Sequence, residues 1–139
     1  MNNGLFTSNT DDWATPNDFF AKLNSIFEFQ LDVAADDHNA KCTRFFTKED
    51  NGLLQTWSKR NWMNPPYGRT IIDWVKKADY EAEQGNLTVA LLPARVDTKW
   101  FHDYCSKWHC VFLKGRLKFG DGRNSAPFPS MLVYFGIER

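Results

Sequence analysis

Strand-like and helix-like stretches alternate along these 139 residues, which predicts one α/β domain built on a mixed, mostly parallel sheet flanked by helices. A hydrophobic share of 42%, with 16% aromatic residues, suffices for a packed core and separates the chain from disordered sequences. The residues best suited to chemistry fall at or just after predicted strand ends, where ligands collect in such sheets: Asp32, Asn64, Pro93-Ala94-Arg95 and the loop from Lys114 to Arg123. Residues 1–12 read as a flexible polar lead-in and residues 13–139 as the domain.

The elements follow in order. Thr15-Pro16-Asn17-Asp18 predicts a helix start, with Thr15 as N-cap, Pro16 at the first helical position and Asp18 in the first turn. Phe19, Phe20, Leu23, Ile26 and Phe27 then share one face at helical period. The period changes at Phe29, Leu31 and Val33, which alternate with Gln30 and Asp32 as in a strand. Residues 40–60 show no clear period. Asn61-Trp62-Met63 predicts a short strand stopped by Pro65-Pro66. A helix from Thr70 to Gln84 follows, its inner face being Ile71, Trp74 or Val75, Ala78 and Ala82, with Gly85 beyond its end. Leu87 to Leu92 reads as a buried strand, and Asp97 or Thr98 opens a short helix through Trp100, Phe101 and Tyr104. Strands at Cys110–Leu113 and Met131–Phe135 close the chain around a loop long enough to suggest function.

Formal net charge is zero, which argues against holding nucleic acid by bulk electrostatics, yet the charge is polarised. Residues 1–50 carry four Lys/Arg against nine Asp/Glu, whereas residues 95–139 carry eight against four. Either Arg95, Lys99, Lys107, Lys114, Arg116, Lys118 and Arg123 form a phosphate-facing surface, or they scatter over a solvated face. Cys42, Cys105 and Cys110 make an odd set without framework spacing, so free thiols are expected. His102, Cys105, His109 and Cys110 match no familiar zinc spacing, and no metal is expected. No apolar run approaches the roughly 20 residues of a membrane span, and Met1 to Asp12 lacks the pattern of a secretory signal, so a cytoplasmic protein is expected.

Asn64-Pro65-Pro66-Tyr67 carries the clearest chemistry. The exocyclic N6 amine of adenine is a poor nucleophile because its lone pair is delocalised into the ring. Two oxygen acceptors that take both amino hydrogens localise that lone pair and aim it at an electrophilic methyl group. The Asn64 side chain supplies one acceptor and the Pro65 carbonyl the other, while Pro65 and Pro66 fix the backbone. Tyr67 is expected to offer a flat face for an extruded base. A proline turn that merely ends a strand is the plainer alternative.

Beyond this motif, the order of several segments is specific. They are Trp13-Ala14-Thr15-Pro16, Leu31-Asp32-Val33-Ala34-Ala35 with Asn39-Ala40-Lys41-Cys42, and Phe46 to Leu53. Asn61 to Gly68, Leu91 to Thr98, Gly115 to Gly120 and Ala126 to Ser130 complete the set. In these segments the chain resembles the bacteriophage-type Dam family of DNA N6-adenine methyltransferases, from roughly Trp13 to Phe135. The resemblance implies an abbreviated Rossmann-like, S-adenosylmethionine-dependent methyltransferase fold acting on DNA. It implies a cofactor site around Trp13, Thr15 and Pro16, around Asp32, Ala34, Ala35 and Asn39, and around Glu49 and Asp50. Asp32 would attract the methionine ammonium, and Glu49 or Asp50 the ribose hydroxyls; turn capping by Asp32 and solvated charge at the other two stand beside those readings.

The chain departs from the family pattern in that Ala34-Ala35 stand where a Gly-rich turn is usual. Asp32 and Asn64 also lie too close in sequence for the usual pair of strand-helix units between them. With no room for a separate recognition domain, target selection and DNA contacts are expected from Arg95 to Lys99 and from Lys114, Arg116, Lys118 and Arg123. Two other substrates suit an Asn-Pro-Pro-Tyr site, a protein glutamine amide and RNA adenine. A non-catalytic DNA-binding module with a decayed cofactor site is the reading from another class.

Overall fold

The computed structural model describes residues 13–120 and 125–139; the expectations for residues 1–12 and for Arg123 lie outside them. Helix α1 spans Asn17–Phe27 and carries Asp18 in its first turn. Its N-cap is Pro16, not Thr15, and no side chain caps it; the Pro16 carbonyl accepts from the Phe20 amide at 3.1 Å. Thr15 is buried and bonds elsewhere. Phe20 and Leu23 are buried, and the Phe20 and Phe27 rings meet Trp62 and Tyr134 at 5.3 and 5.2 Å. Ile26, expected on the inner face, is 72% exposed, because α1 rests on the sheet through its aromatic residues.

Strand β1 is only Leu31–Asp32, and Leu31, Asp32 and Val33 are buried in succession. The expected in-out alternation from Phe29 to Val33 therefore gives way to a short parallel strand covered on both faces. Its outer edge meets the chain again at Phe45, through a single parallel bridge to Asp32. The stretch 40–60, without a period of its own, otherwise holds a 3-10 turn at Gly52–Leu54. Strand β2 is Arg60–Met63, helix α2 Ile71–Glu83 and strand β3 Leu87–Pro93. All five inner-face positions of α2 are buried, Trp74 and Val75 together. Asn61, within β2, is also fully buried; its amide nitrogen donates to the Ser58 and Leu87 carbonyls and its oxygen accepts from the Ser58 amide.

The short helix starts at Lys99, where Thr98 Oγ1 accepts from the Phe101 amide at 3.3 Å, and passes into a π-type turn at Phe101–Cys105. Strands β4 (Trp108–Phe112) and β5 (Ser130–Glu138) complete a five-stranded sheet in the order β1-β2-β3-β5-β4. β1, β2 and β3 pair in parallel, whereas β5 runs antiparallel to both β3 and β4. Four strands therefore point one way and β5 alone is reversed.

That topology positions the site. The carboxyl ends of β1, β2, β3 and β4 lie at one end of the sheet, together with the start of β5. Asp32, Asn64, Arg95 and the residues after Phe112 are brought to that end from separate parts of the chain. No described helix is long and apolar enough to cross a membrane.

Candidate active site

A cavity of about 360 Å³ opens beside the carboxyl ends of β1 and β2, within the size range of small-ligand sites. Asp32 lines it from β1, Ala34 and Ala35 from the turn after it, and Asn64, Pro65 and Pro66 from the segment after β2. Trp13 and Thr15 line it ahead of α1, and Asn39 and Glu49 from the linking stretch. Three of the predicted catalytic and cofactor residues do not border it: Pro16, Asp50 and Tyr67. Asp50 is exposed and caps a local turn, its Oδ2 accepting from the Thr47 amide at 2.9 Å and the Thr47 hydroxyl at 3.1 Å. Of the two acids considered for sugar hydroxyls, Glu49 is the one at the cavity.

Asp32 is 3% exposed, borders the cavity and makes the turn-capping contact that was the alternative reading for it. Oδ1 accepts from the Ala34 amide at 3.3 Å, closing the turn, and Oδ2 from the Lys41 amide at 3.0 Å. Burial pushes its carboxyl up to about 6, against those two hydrogen bonds and the nearby Lys41 ammonium. The same burial lowers Lys41, whose Nζ donates to Asn17 Oδ1 at 2.7 Å.

Asn64 is half-buried, and neighbours hold both ends of its amide. Nδ2 donates to the Trp13 carbonyl and to Thr15 Oγ1, the latter at 2.9 Å. Oδ1 accepts from the Tyr67 hydroxyl at 3.0 Å. That hydroxyl also lies 3.0 Å from the Leu91 carbonyl and, having one proton, serves one of the two at a time. Tyr67 is 3% exposed, which corrects its reading as an open stacking face. Phe119 and Phe128 pack edge-on against its ring at 6.5 and 5.6 Å, and both also meet Trp13. Those two phenylalanines flank a loop far along the chain, so no local pattern announced the cover.

Sequence reasoning missed several walls. Val33, Trp62, Trp74 and Gly52 also line the cavity. A Cβ on Gly52 would stand 2.2 Å from the Val33 carbonyl oxygen and 3.2 Å from the Trp74 ring, so only glycine lets this segment close against β1. A glycine inside the patternless stretch was the available signal. Among the described residues, no group of three His, Cys, Asp or Glu is placed to hold a metal ion. Cys110 Sγ instead contacts the Cys105 carbonyl at 3.7 Å.

The basic residues differ in setting. Arg95, Lys114, Arg116 and Lys118 are exposed at the end of the sheet that holds the cavity. Arg69, two residues after the Asn64-Pro65-Pro66-Tyr67 motif, is exposed as well and was not foreseen. Lys99 is paired with Asp103 at 2.6 Å on its own helix.

A family model described as DNA N-6-adenine-methyltransferase (Dam) matches residues 3–134. The chain belongs to the Dam family. Over 94 residues it is 40% identical to the DNA N-6-adenine-methyltransferase of Escherichia phage T1, an alignment covering 66% of this chain and 39% of that protein. Over 141 positions it is 36% identical to the protein of the same name from Haemophilus phage HP1, covering 92% of this chain and 80% of the relative. The Dam family match spans both the cavity residues and the two phenylalanines that cover Tyr67.

Proposed function

We propose that this Dam-family chain is an S-adenosylmethionine-dependent DNA adenine N6-methyltransferase on an abbreviated Rossmann-like sheet, working on DNA in the cytoplasm of a bacterial host. One observation carries the reading: Asn64, its amide nitrogen already engaged, borders the same cavity as the buried carboxylate of Asp32.

The residues present suit the donor. It is a cation with an ammonium, a sulfonium, a sugar and an aromatic base, and the cavity offers the Asp32 carboxylate, Glu49 and the indoles of Trp13, Trp62 and Trp74. When bound, the donor supplies an electrophilic methyl group on a positively charged sulfur, and the amine that takes it up loses one proton. Asp32 would hold the ammonium, since an opposite charge offsets its burial. Glu49 would accept from the ribose hydroxyls. Asn64 Oδ1 keeps a second lone pair beside the one used by Tyr67, and with the Pro65 carbonyl it accepts the two amino hydrogens of the target adenine. Pro65 and Pro66 hold those acceptors in place. Arg69, Arg95, Lys114, Arg116 and Lys118 would meet phosphates around the cavity mouth.

Incubating the protein with methyl-labelled donor and DNA, RNA or protein tests the assignment. Label is expected in DNA adenine; label entering only protein or RNA overturns it.

A further inference from the structure

Asn64 is one of few side chains whose two amide ends could trade places without changing shape, and the chemistry tolerates only one orientation. The oxygen has to be available to the target amine, because a donor turned toward that amine would repel it. In the structure the choice is decided by the segment ahead of α1. The Trp13 carbonyl can only accept, so the group facing it must donate. Thr15 Oγ1 receives the second amide hydrogen at 2.9 Å, and Thr15 is itself buried, so its hydroxyl cannot drift into solvent. A turned-over amide would set two acceptor oxygens against each other at Trp13 and leave both hydrogens without these partners.

We propose that the Trp13 carbonyl and the Thr15 hydroxyl form a polarity lock on Asn64, which makes Thr15 a positioning residue for methyl transfer and restricts position 64 to a side chain that donates on that side. The inference rests on Asn64 being the acceptor of the target amine. It explains why an amide stands here although a carboxylate is the stronger acceptor: an ionised oxygen facing the Trp13 carbonyl would be repelled, and only the protonated acid would fit. The titratable groups sharing the cavity are Asp32, Asp36, Asp37, Lys41, Lys48 and Glu49, with Tyr67 behind Asn64. All of them are present in wild type and variant alike, so the ratio of the two removes what they contribute in common.

Three variants of the full chain, assayed at saturating donor, provide the test. Thr15→Val keeps shape and removes the acceptor; kcat is expected to fall several-fold to about tenfold with KM for DNA unchanged, the scale of one hydrogen bond. Thr15→Ser keeps the hydroxyl and is expected to stay within about twofold of wild type. For Asn64→Asp, the activity ratio to wild type is expected to rise as pH falls, by about tenfold per unit above the pKa of the new acid. Carbon NMR of the introduced carboxyl is expected to show it titrating above the ordinary aspartate range. A flat ratio, an ordinary titration, or equal kcat for Thr15→Val and wild type overturns the lock. Activity in Asn64→Ala would instead overturn the acceptor role of Asn64, so the two failures are distinct.

Discussion

Asp32 is a buried carboxylate on the cavity wall. Burial raises its carboxyl to about 6 even though two backbone amides and Lys41 favour the charged form. Above that value the group is ionised and attracts a cation; below it the group is neutral and the attraction is lost. The affinity for S-adenosylmethionine, followed by calorimetry, is therefore expected to fall as pH drops through about 6. Asp32→Asn is expected to weaken binding by about tenfold or more and to flatten that dependence, since the amide cannot make a charge-assisted hydrogen bond to the ammonium. A pH-independent affinity in the wild type would remove Asp32 from the ammonium site. What was legible at this scale is that Asn64, Pro65 and Asp32, singled out by residue type, border one cavity. The burial of Tyr67 was not legible, as it depends on Phe119 and Phe128 arriving from a distant loop. Nor was the bond from Asn64 to Thr15, which the Thr15-Pro16-Asn17-Asp18 pattern had placed at a helix cap.

Among the elements, those carrying their own periodicity were read best. α2 has an apolar face at every expected turn, and its five inner positions are buried as anticipated. β1 misled because its neighbours on both sides, β2 and the chain at Phe45, bury Asp32 along with Leu31 and Val33. The stretch from 40 to 60 is shaped by tertiary contact rather than by repeat. Gly52 lies against the Val33 carbonyl, and its own carbonyl accepts from Trp57 Nε1 at 2.8 Å. Gly52→Ala places a methyl group where the backbone oxygen already is, so a loss of about 2 kcal/mol of stability is expected from urea unfolding. An unchanged midpoint would show that this segment does not press on β1. Because Gly52 also borders the cavity, the same variant is expected to weaken donor binding.

The whole molecule turns a chain of zero net charge into an end with opposed properties: acids at the cavity and basic residues around it. The alternation of strands and helices predicted the class, and the rule that ligands gather at strand carboxyl ends picked out Asp32 and Asn64, which share one cavity, together with Arg95 and Lys114, which do not border it. The sheet order could not be read, because the placing of β5 between β3 and β4 leaves no mark in local pattern. If Lys114, Arg116 and Lys118 meet phosphates, replacing all three by Gln reduces the slope of log affinity against log salt by about 0.9 for each phosphate no longer neutralised. Lys99→Gln is expected to change that slope less, because Asp103 already pairs with the ammonium. Equal slopes for wild type and the triple variant would move the DNA path elsewhere.

The most direct measurement compares methylated adenines in DNA from cells expressing the wild-type chain with those expressing Asn64→Ala, alongside calorimetry of the donor on both proteins. N6-methyladenine is expected with the wild type alone, with donor affinity nearly equal in the two, since Asn64 acts on the amine rather than on the cofactor. Equal methylation in the variant, or none in the wild type, would contradict the placement of the chemistry at this asparagine.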